Sequence, residues 1–369
     1  MDKIKFFNTS INHQAFSKVS AVLQSTLLSE GKLVADFEEA LTKTSGIINP
    51  VALSSGTAAL HLALVVAGIG FGDEVVIPAQ TFIATGLAVL MAGAVPVFAD
   101  IQYETGNINP EDVKKKITDK TKAIIPVHWG GYPCDMDELK LIANKNNILL
   151  IEDAAHAIGA VYKNKSVGSI SDMTCFSFQS IKHLTTGDGG ALACKNADHF
   201  EKTMALRWFG IDRKNSPVSL LGEREYNLTE VGYKYHLNDY AAALGLANID
   251  CLQSNLERRR EIADYYDNEL KGVKGIELFK YEKDRKSSYW LYGFHVENRE
   301  SFILKLKQAG IPSSVVHLGI HKNNIFKEHL KEQLTVQYTF DNSQIHIPVH
   351  NDLEKTQIEF IVSTIKAGW

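Results

Sequence analysis

The chain has 369 residues, of which 45% are hydrophobic and 22% charged, and its formal net charge is −4. This length predicts about two domains in a soluble globular protein. The weak negative charge and the lack of a long Lys/Arg run argue against nucleic acid or an anionic membrane as a partner.

The N-terminal MDKIKFFNTS has no apolar signal-peptide core, and the longest apolar stretch, residues 84–99, contains glycine and proline. That stretch is shorter than a membrane span and predicts a buried helix followed by a strand. The four cysteines form no Cys-x-x-Cys pair, so neither a zinc site nor a disulfide framework is indicated. We therefore expect a reduced, cytoplasmic setting.

Two histidine pairs have a spacing of four residues, His317 with His321 and His346 with His350. Pro348 argues against a helix that presents the second pair on one face. No acidic third ligand follows closely in the sequence, so we predict no metal site. Packing or substrate contact is the expected role of these histidines.

Helical and strand-like segments alternate between about residues 34 and 194. In chain order, the predicted strands contain PVAL, DEVVIP, AVPVFADI, TKAIIPV, NILLIED, MTCFSF and GGALAC. The predicted helices include VADFEEALTKTSG, GTAALHLALVV, PEDVKKKI and MDELKLIANKNN. Short apolar strands between helices predict an α/β fold with a mostly parallel central sheet and helices on both faces.

The pattern changes after about residue 248. A long, highly charged helix is followed by the predicted strand SSYWLYGFHV and by two helices, RESFILKLKQAG and TQIEFIVSTIKAG. We predict a large domain over residues 1–250 and a smaller C-terminal α+β domain over residues 251–369. The N-terminal segment is expected to pack on the small domain.

A serine-glycine turn precedes the helix of the first predicted βα unit. Ligands of open α/β sheets bind beyond the carboxyl ends of the strands, which is where Ser55, Gly56 and Thr57 lie. The free N–H groups and the dipole of a helix N-terminus favour a phosphate there. The alternative is an ordinary N-cap.

An acid follows another predicted strand. Asp153 and Glu152 end the run NILLIED, where a carboxylate must be solvated, hydrogen-bonded or paired with a cation. Asp153 is therefore a candidate partner for a protonated ring nitrogen, or else caps the next segment. His156, three residues on, points the same way if a helical turn begins here.

The run SFQSIK brings the hydroxyl of Ser177 and the amine of Lys182 to the end of a further strand. Together with a phosphate turn and a buried acid, these residues indicate pyridoxal 5′-phosphate (PLP) as the ligand. Its aldehyde needs a lysine for a Schiff base, its phosphate a helix N-terminus, and its ring nitrogen an acid. The ring face needs an apolar cover, for which Phe82 is the candidate.

These motifs, with the later segments GYKYHLNDYAAALGLANI and HIPVHNDL, resemble the PLP-dependent nucleotide-sugar aminotransferases of the DegT–StrS type. The resemblance runs from about residue 31 to the C-terminus. It implies the aspartate-aminotransferase fold, fold type I, and a homodimer whose active sites lie at the subunit interface.

The resemblance also implies roles for residues around the cofactor. Lys182 would form the Schiff base and later move protons, and Asp153 would pair with the pyridine nitrogen. His156 would lie near the ring hydroxyl, where many relatives have glutamine, and Phe82 would stack on the ring.

The remaining carried-over residues bind phosphate. Gly56, Thr57 and Ser177 would hold the cofactor phosphate. Lys234 stands where many relatives have an asparagine that reaches the cofactor phosphate of the neighbouring subunit, so a full charge would replace an amide donor there.

Relatives with histidine in place of the lysine act as dehydratases, so the presence of Lys182 favours transamination from L-glutamate. The tail TTGDGG resembles enzymes that aminate C4 of a 4-keto-6-deoxy sugar nucleotide. Trp129, Trp208 and Arg213 are candidate sugar or nucleotide contacts, with packing as the alternative.

Three other functions are compatible with parts of this pattern. The chain could be a PLP aminotransferase of the same fold acting on another small keto substrate, or a non-catalytic PLP-fold regulatory protein. The intact lysine, acid and phosphate turn argue against the latter. A nicotinamide-dependent Rossmann enzyme is disfavoured because GIGFGDE follows a helix rather than a strand.

Overall fold

The computed structural model describes residues 3–213 and 215–369. Its strands are β1 (Pro50–Leu53), β2 (Glu74–Pro78), β3 (Val95–Ala99), β4 (Thr121–Ile124), β5 (Leu149–Asp153), β6 (Val161–Tyr162), β7 (Lys165–Ser166), β8 (Met173–Ser177), β9 (Gly190–Cys194), β10 (Ile276–Leu278), β11 (Arg285–Lys286), β12 (Tyr292–Val296) and β13 (Gln344–Ile347).

The helices connect these strands and cover the sheets. They are α1 (Gln14–Ser25), α2 (Lys32–Ser45), α3 (Gly56–Val66), α4 (Ile83–Met91), α5 (Pro110–Lys116), α6 (Met136–Asn146), α7 (Ala197–Leu206), α8 (Asp239–Asn248), α9 (Leu252–Leu270), α10 (Arg299–Gln308), α11 (Thr335–Ser343) and α12 (Lys355–Lys366). Short 3₁₀ turns lie at Trp129–Gly131, Ile249–Cys251, Ile320–Lys322 and Asn324–His329.

Seven strands form the central sheet in the order β1-β9-β8-β5-β4-β2-β3. Strand β9 runs antiparallel to both of its neighbours, whereas the pairs β8–β5–β4–β2–β3 are parallel. The strands are buried along nearly their whole length, because helices pack on both faces. The predicted mostly parallel α/β sheet is confirmed.

The C-terminal part forms a second core around the antiparallel sheet β10-β12-β13. Helices α9, α10 and α12 pack on this sheet through residues such as Tyr266, Phe302 and Ile361. Ile4 is buried in the same cluster, so the N-terminal segment packs on the small C-terminal unit. The domain boundary at residue 250 stays a prediction.

One predicted strand is shorter than expected. SSYWLYGFHV was predicted as a single strand, but β12 begins only at Tyr292. Tyr289 has a φ of +49°, which is incompatible with an extended strand. Residues 287–291 instead form an irregular segment held by tertiary hydrogen bonds.

Most other predicted elements lie where the sequence placed them. Residues 84–99 contain all of α4 except its first residue and all of β3, as predicted. Helices α1, α7, α8 and α11, as well as the small sheet β11-β6-β7, were not predicted. Within the described parts of the chain, the helices are too short or too polar to cross a bilayer.

Candidate active site

A cavity of about 550 Å³ lies at the carboxyl ends of the central strands. Its walls come from three sources: the strand ends, the loops that follow them, and segments belonging to the C-terminal unit. Seven of the eight sequence-predicted cofactor residues line this one cavity: Gly56, Thr57, Phe82, Asp153, His156, Ser177 and Lys182.

The predicted phosphate turn, residues 55–57, lies at the start of α3, just after β1. Ser55 is the N-cap of α3, and its side chain accepts a hydrogen bond of 3.0 Å from the Ala58 N–H. A β-carbon on Gly56 would lie 2.9 Å from the Ser177 β-carbon, so glycine is what allows the turn to approach β8. Thr57 and Ser177 add hydroxyls, and the arrangement is suited to a phosphate.

Asp153 ends β5 and is buried at the cavity. The Thr85 hydroxyl donates to Asp153 Oδ2 at 2.7 Å, and the Ala155 N–H donates to Oδ1 at 3.1 Å. Thr81 extends this chain through a 2.6 Å contact with the Thr85 hydroxyl. Burial raises the pKa of Asp153, while these donors and the Lys182 amine oppose the rise.

Glu152 has a separate role, because alternate residues of a strand face opposite sides. Its carboxylate is fully buried and pairs with His128 Nε2 at 2.7 Å. Burial alone would raise the pKa of Glu152, but hydrogen bonds from His128, Ser171 and Thr174 lower it. Glu152 is therefore a structural acid, and Asp153 is the acid of the cavity.

Lys182 follows β8 and its amine lies inside the cavity. Burial lowers the pKa of this amine to about 7, and the Asp153 carboxylate counteracts part of the effect. A substantial fraction of the amine is thus neutral near pH 7. A neutral amine is nucleophilic and can also accept a proton.

His156 is buried against the indole of Trp290, a residue that the sequence motifs do not indicate. Its ring stacks on Trp290 with centroids 3.7 Å apart and an interplanar angle of 16°. Burial, and then the charge of Lys182, hold the pKa of His156 well below its usual range. Among the described residues, none hydrogen-bonds to His156 Nδ1, which leaves this buried atom available to a ligand.

Phe82 and His317 form another wall of the cavity. Phe82 is the residue before α4 and is 50% exposed, and its ring lies 5.0 Å from that of His317. The His317 carbonyl accepts hydrogen bonds from the side chains of Gln80 and Gln344, both at 3.1 Å. The loop that carries His317 is thus fixed to buried amides.

Several residues of the cavity are not predicted from the sequence. Phe6 and Phe7 reach it from the N-terminal segment, and Trp290 and Val316 reach it from the C-terminal unit. None follows a strand of the central sheet, so the strand-end rule could not find them. In the sequence, only the aromatic pair in KFFNTS and the tryptophan in SSYWLYG could have indicated these wall residues.

His183, next to the catalytic lysine candidate, does not line the cavity. Its Nε2 atom makes a 2.9 Å hydrogen bond with the Ser288 carbonyl. Burial holds the pKa of His183 well below its usual range. His183 therefore ties the lysine-bearing segment to residues 287–291.

Lys234, Trp208 and Arg213 lie together outside this cavity. The Lys234 ammonium and the Arg213 guanidinium are each 5.0 Å from the Trp208 ring. Trp208 and Arg213 line a second cavity of about 400 Å³. Trp129, in contrast, is only 1% exposed, packs among His156, His317 and His346, and lines neither of these two cavities.

The mostly parallel sheet with its antiparallel strand β9, together with a lysine, an acid and a helix N-terminus in one cavity, defines a fold type I aminotransferase. Comparison with known families agrees. The chain belongs to the DegT/DnrJ/EryC1/StrS aminotransferase family, whose model matches residues 9–366. It is accordingly an enzyme of the sugar aminotransferase type.

Two curated relatives indicate the chemistry found in this family. The UDP-4-amino-4,6-dideoxy-N-acetyl-beta-L-altrosamine transaminase of Campylobacter jejuni serotype O:23/36 is 34% identical, with 98% of this chain and 96% of the relative covered. The GDP-perosamine synthase of Escherichia coli O157:H7 is 31% identical, with 99% and 98% covered.

Solved structures share the whole fold. The sugar aminotransferase CalS13 from Micromonospora echinospora matches with a TM-score of 0.95 and 32% identity, covering 99% of this chain and 100% of that one. Spr1654 from Streptococcus pneumoniae, solved in its PLP-form, matches with a TM-score of 0.91 and 31% identity, covering 99% and 98%.

Proposed function

We propose that this enzyme uses PLP to transfer an amino group from L-glutamate to C4 of a nucleoside-diphosphate 4-keto-6-deoxyhexose. The observation that carries the proposal is one cavity lined by Lys182, Asp153 and the N-terminus of α3. The names of two relatives, a 4-amino-4,6-dideoxy sugar transaminase and a perosamine synthase, support the substrate class.

The residues of the cavity fit this cofactor. Gly56 gives a phosphate access to the helix N-terminus, and Ser177 lies beside it. Asp153 supplies a carboxylate for a ring nitrogen, and the free Nδ1 of His156 suits the ring hydroxyl. When bound, PLP supplies an aldehyde that condenses with amines and a ring that withdraws electrons.

The chain's own contribution is to bind, orient and move protons. Lys182 would hold the cofactor covalently, and its Nζ, once free, would take a proton from the substrate carbon and return it during transfer. Its pKa of about 7, caused by burial, allows the amine to act in both directions. Asp153 would keep a ring nitrogen protonated, since its own hydrogen bonds from Thr85 and Ala155 stabilise the carboxylate.

A visible spectrum tests the cofactor assignment. We expect purified protein with added PLP to show a yellow band that borohydride removes, with the cofactor then fixed to the Lys182 peptide. Lys182→Ala should lack the band, whereas the exposed lysine variant Lys145→Ala should keep it. A protein that stays colourless with PLP would overturn the assignment.

An assay with several keto-sugar nucleotides tests the substrate. We expect glutamate-dependent formation of an amino sugar, and NMR of the product should place nitrogen on C4. UDP and GDP forms should be compared, because the two relatives carry these different nucleotides in their names. Nitrogen on C3, or turnover of a different keto compound alone, would contradict the proposal.

We further propose that two copies of the chain share each site, with Lys234 reaching the cofactor phosphate of the other copy. Lys234 is exposed at the start of a segment leading to α8, and apolar side chains before it in sequence, on α1 and just after α1 are also exposed. Such exposed apolar groups mark interaction surfaces. They include Phe16, Leu23, Leu27, Val218, Leu220, Leu221 and Val231.

Mixing two inactive variants tests this arrangement. Lys182→Ala and Lys234→Glu should each be nearly inactive alone. Their mixed dimers should contain one site with both native residues, restoring about a quarter of wild-type activity in a randomised equal mixture. No recovery after subunit exchange, shown by mass measurement, would refute a shared site.

A further inference from the structure

We propose that Trp290 is a positioning residue for Lys182, and that its indole face holds the Lys182 ammonium whenever the lysine is not covalently bound to the cofactor. The Lys182 Nζ atom lies 3.7 Å from the centroid of the Trp290 ring. Tryptophan is the aromatic side chain that attracts a cation most strongly, and desolvation strengthens the attraction. The catalytic meaning of this contact rests on the proposed function.

The indole has little freedom to move away. Its N–H donates to the Ile181 carbonyl at 3.1 Å, so the ring is tied to the residue preceding Lys182. His156 stacks on Trp290, and Phe7 stacks on it with centroids 5.1 Å apart and an interplanar angle of 22°. Trp290 is only 2% exposed.

The backbone before the indole is held in an unusual conformation. Tyr289 has a φ of +49°, a region where bulky residues are strained and persist only if their surroundings hold them. Arg259 donates to the Tyr289 carbonyl at 3.2 Å, and His183 binds the Ser288 carbonyl. These bonds fix the turn that directs Trp290 toward the lysine.

Few of the described groups around the Lys182 amine can stabilise its ammonium form. Asp153 faces Lys182, but in the proposed function its carboxylate is engaged by the ring nitrogen. Asp188 lies on the exposed rim of the cavity. Burial lowers the pKa of the histidines that interact with the lysine, so they are neutral near pH 7: His156, His183 and His317. With Asp153 engaged in this way, the indole face 3.7 Å from the Lys182 Nζ atom supplies negative potential to the ammonium.

A cation contact and a simple hydrophobic wall predict opposite changes in the pKa of Lys182 when Trp290 is removed. If Trp290 only excluded water, its removal would hydrate the amine and raise the pKa of Lys182. If the indole face stabilises the ammonium, its removal lowers that pKa. The direction of the change therefore separates a positioning role from packing.

Competitive labelling of the amine measures this direction without catalysis. Full-length protein freed of PLP is treated with trace acetic anhydride across a pH series, and mass spectrometry follows the Lys182 peptide, with Lys145 as an internal reference. In Trp290→Leu, we expect the labelling midpoint of Lys182 to fall by about one pH unit, which is about tenfold faster labelling below the midpoint.

Two variants provide the comparison. Trp290→Phe retains an aromatic face and should recover at least half of the shift. Phe7→Leu also removes a ring from the cavity wall, but the indole keeps its hydrogen bond to Ile181 and its stacking on His156, so this variant should cause no downward shift. An unchanged or higher midpoint in Trp290→Leu would overturn the proposal.

Fluorinated tryptophans give a second test if Trp290→Leu fails to fold. Replacing the four tryptophans by mono-, di- and trifluoro analogues weakens the negative potential of the ring with little change in size. We expect the Lys182 midpoint to fall stepwise along the series, and a flat series would refute the contact. Failure of the proposed function would show separately, as wild-type protein that binds no PLP.

Discussion

Replacing Thr85 with valine removes one hydroxyl from the cavity and keeps the shape of the side chain. That hydroxyl donates to Asp153 Oδ2 at 2.7 Å, and both residues are buried. A hydrogen bond to a charged group contributes about 1.5–3 kcal/mol, so we expect a loss of that size in the free energy of unfolding of cofactor-free protein at alkaline pH.

The loss should depend on pH, and its sign follows from Asp153. Burial already raises the pKa of this carboxyl in the folded protein, and the Thr85 hydroxyl opposes the rise. Without the hydroxyl, the pKa rises further, and a raised carboxyl pKa costs stability as pH increases above its ordinary value of 3.8. The loss of unfolding free energy in Thr85→Val should therefore be large at alkaline pH and smaller at acidic pH.

Urea unfolding at about pH 5 and about pH 8 measures both effects. Thr81→Val is the matched control, because it removes a hydroxyl that contacts Thr85 rather than Asp153. In an Asp153→Asn background, the pH-dependent part should disappear, which isolates the pairwise coupling. Equal deficits at both pH values, or a pH dependence that persists with asparagine, would refute the reasoning.

Two further substitutions, at Gly56 and at Glu152, test the predicted phosphate turn and the buried acid that faces away from the cavity. Gly56→Ala should weaken PLP binding in an absorbance titration, because its β-carbon meets Ser177 at 2.9 Å, whereas Gly70→Ala, whose nearest contact is 3.7 Å, should not. Glu152→Gln should keep the visible PLP band, since Glu152 pairs with His128 rather than lining the cavity. In wild type, the lowered pKa of Glu152 adds stability that is lost as pH falls below its ordinary value of 4.5, and acid unfolding should show a smaller loss in the variant.

The sheet and the strand-end residues could be predicted because both depend on short-range pattern. Apolar runs between helices predicted the parallel strands, and the strand-end rule brought Ser177 and Asp153 to the same edge. Alternation along β5 could also have separated Glu152 from Asp153, since neighbouring strand residues face opposite sides. The contrast between a structural and a cavity acid was therefore present in the sequence.

The aromatic wall could not be predicted in the same way. Phe7 is placed by an N-terminal segment whose Ile4 packs in the C-terminal core, a contact with no local signal. Trp290 was assigned to a strand, because SSYWLYGFHV has the composition of one. The positive φ of Tyr289 depends instead on distant partners such as Arg259.

The sequence does not indicate Thr85, because the residues around it are apolar. It lies in α4 within an apolar stretch that predicts only a buried helix, and one hydroxyl does not change that pattern. Its importance appears only when α4 is packed beside β5, where the hydroxyl meets Asp153.

The register of the central sheet explains how the predicted cofactor residues are fixed relative to one another. Asp153 pairs with Cys175 on β8, and Ser177 at the end of β8 pairs with Gly190. A β-carbon on Gly190 would lie 2.5 Å from the carbonyl of Ser55, so this glycine brings the phosphate turn against the same edge. Because a slip of one residue would turn every side chain to the other face, these positions are set together by the backbone.

The aromatic wall has a different origin, since Trp290 belongs to the C-terminal unit and Phe7 stacks on it. Variants that loosen that unit should therefore disturb the environment of the Lys182 amine before they disturb the phosphate turn. The sheet would still bind the phosphate and ring nitrogen, while control of the free lysine would be lost. In the proposed function, cofactor affinity therefore belongs to the strand ends and proton transfer to the junction between the two units.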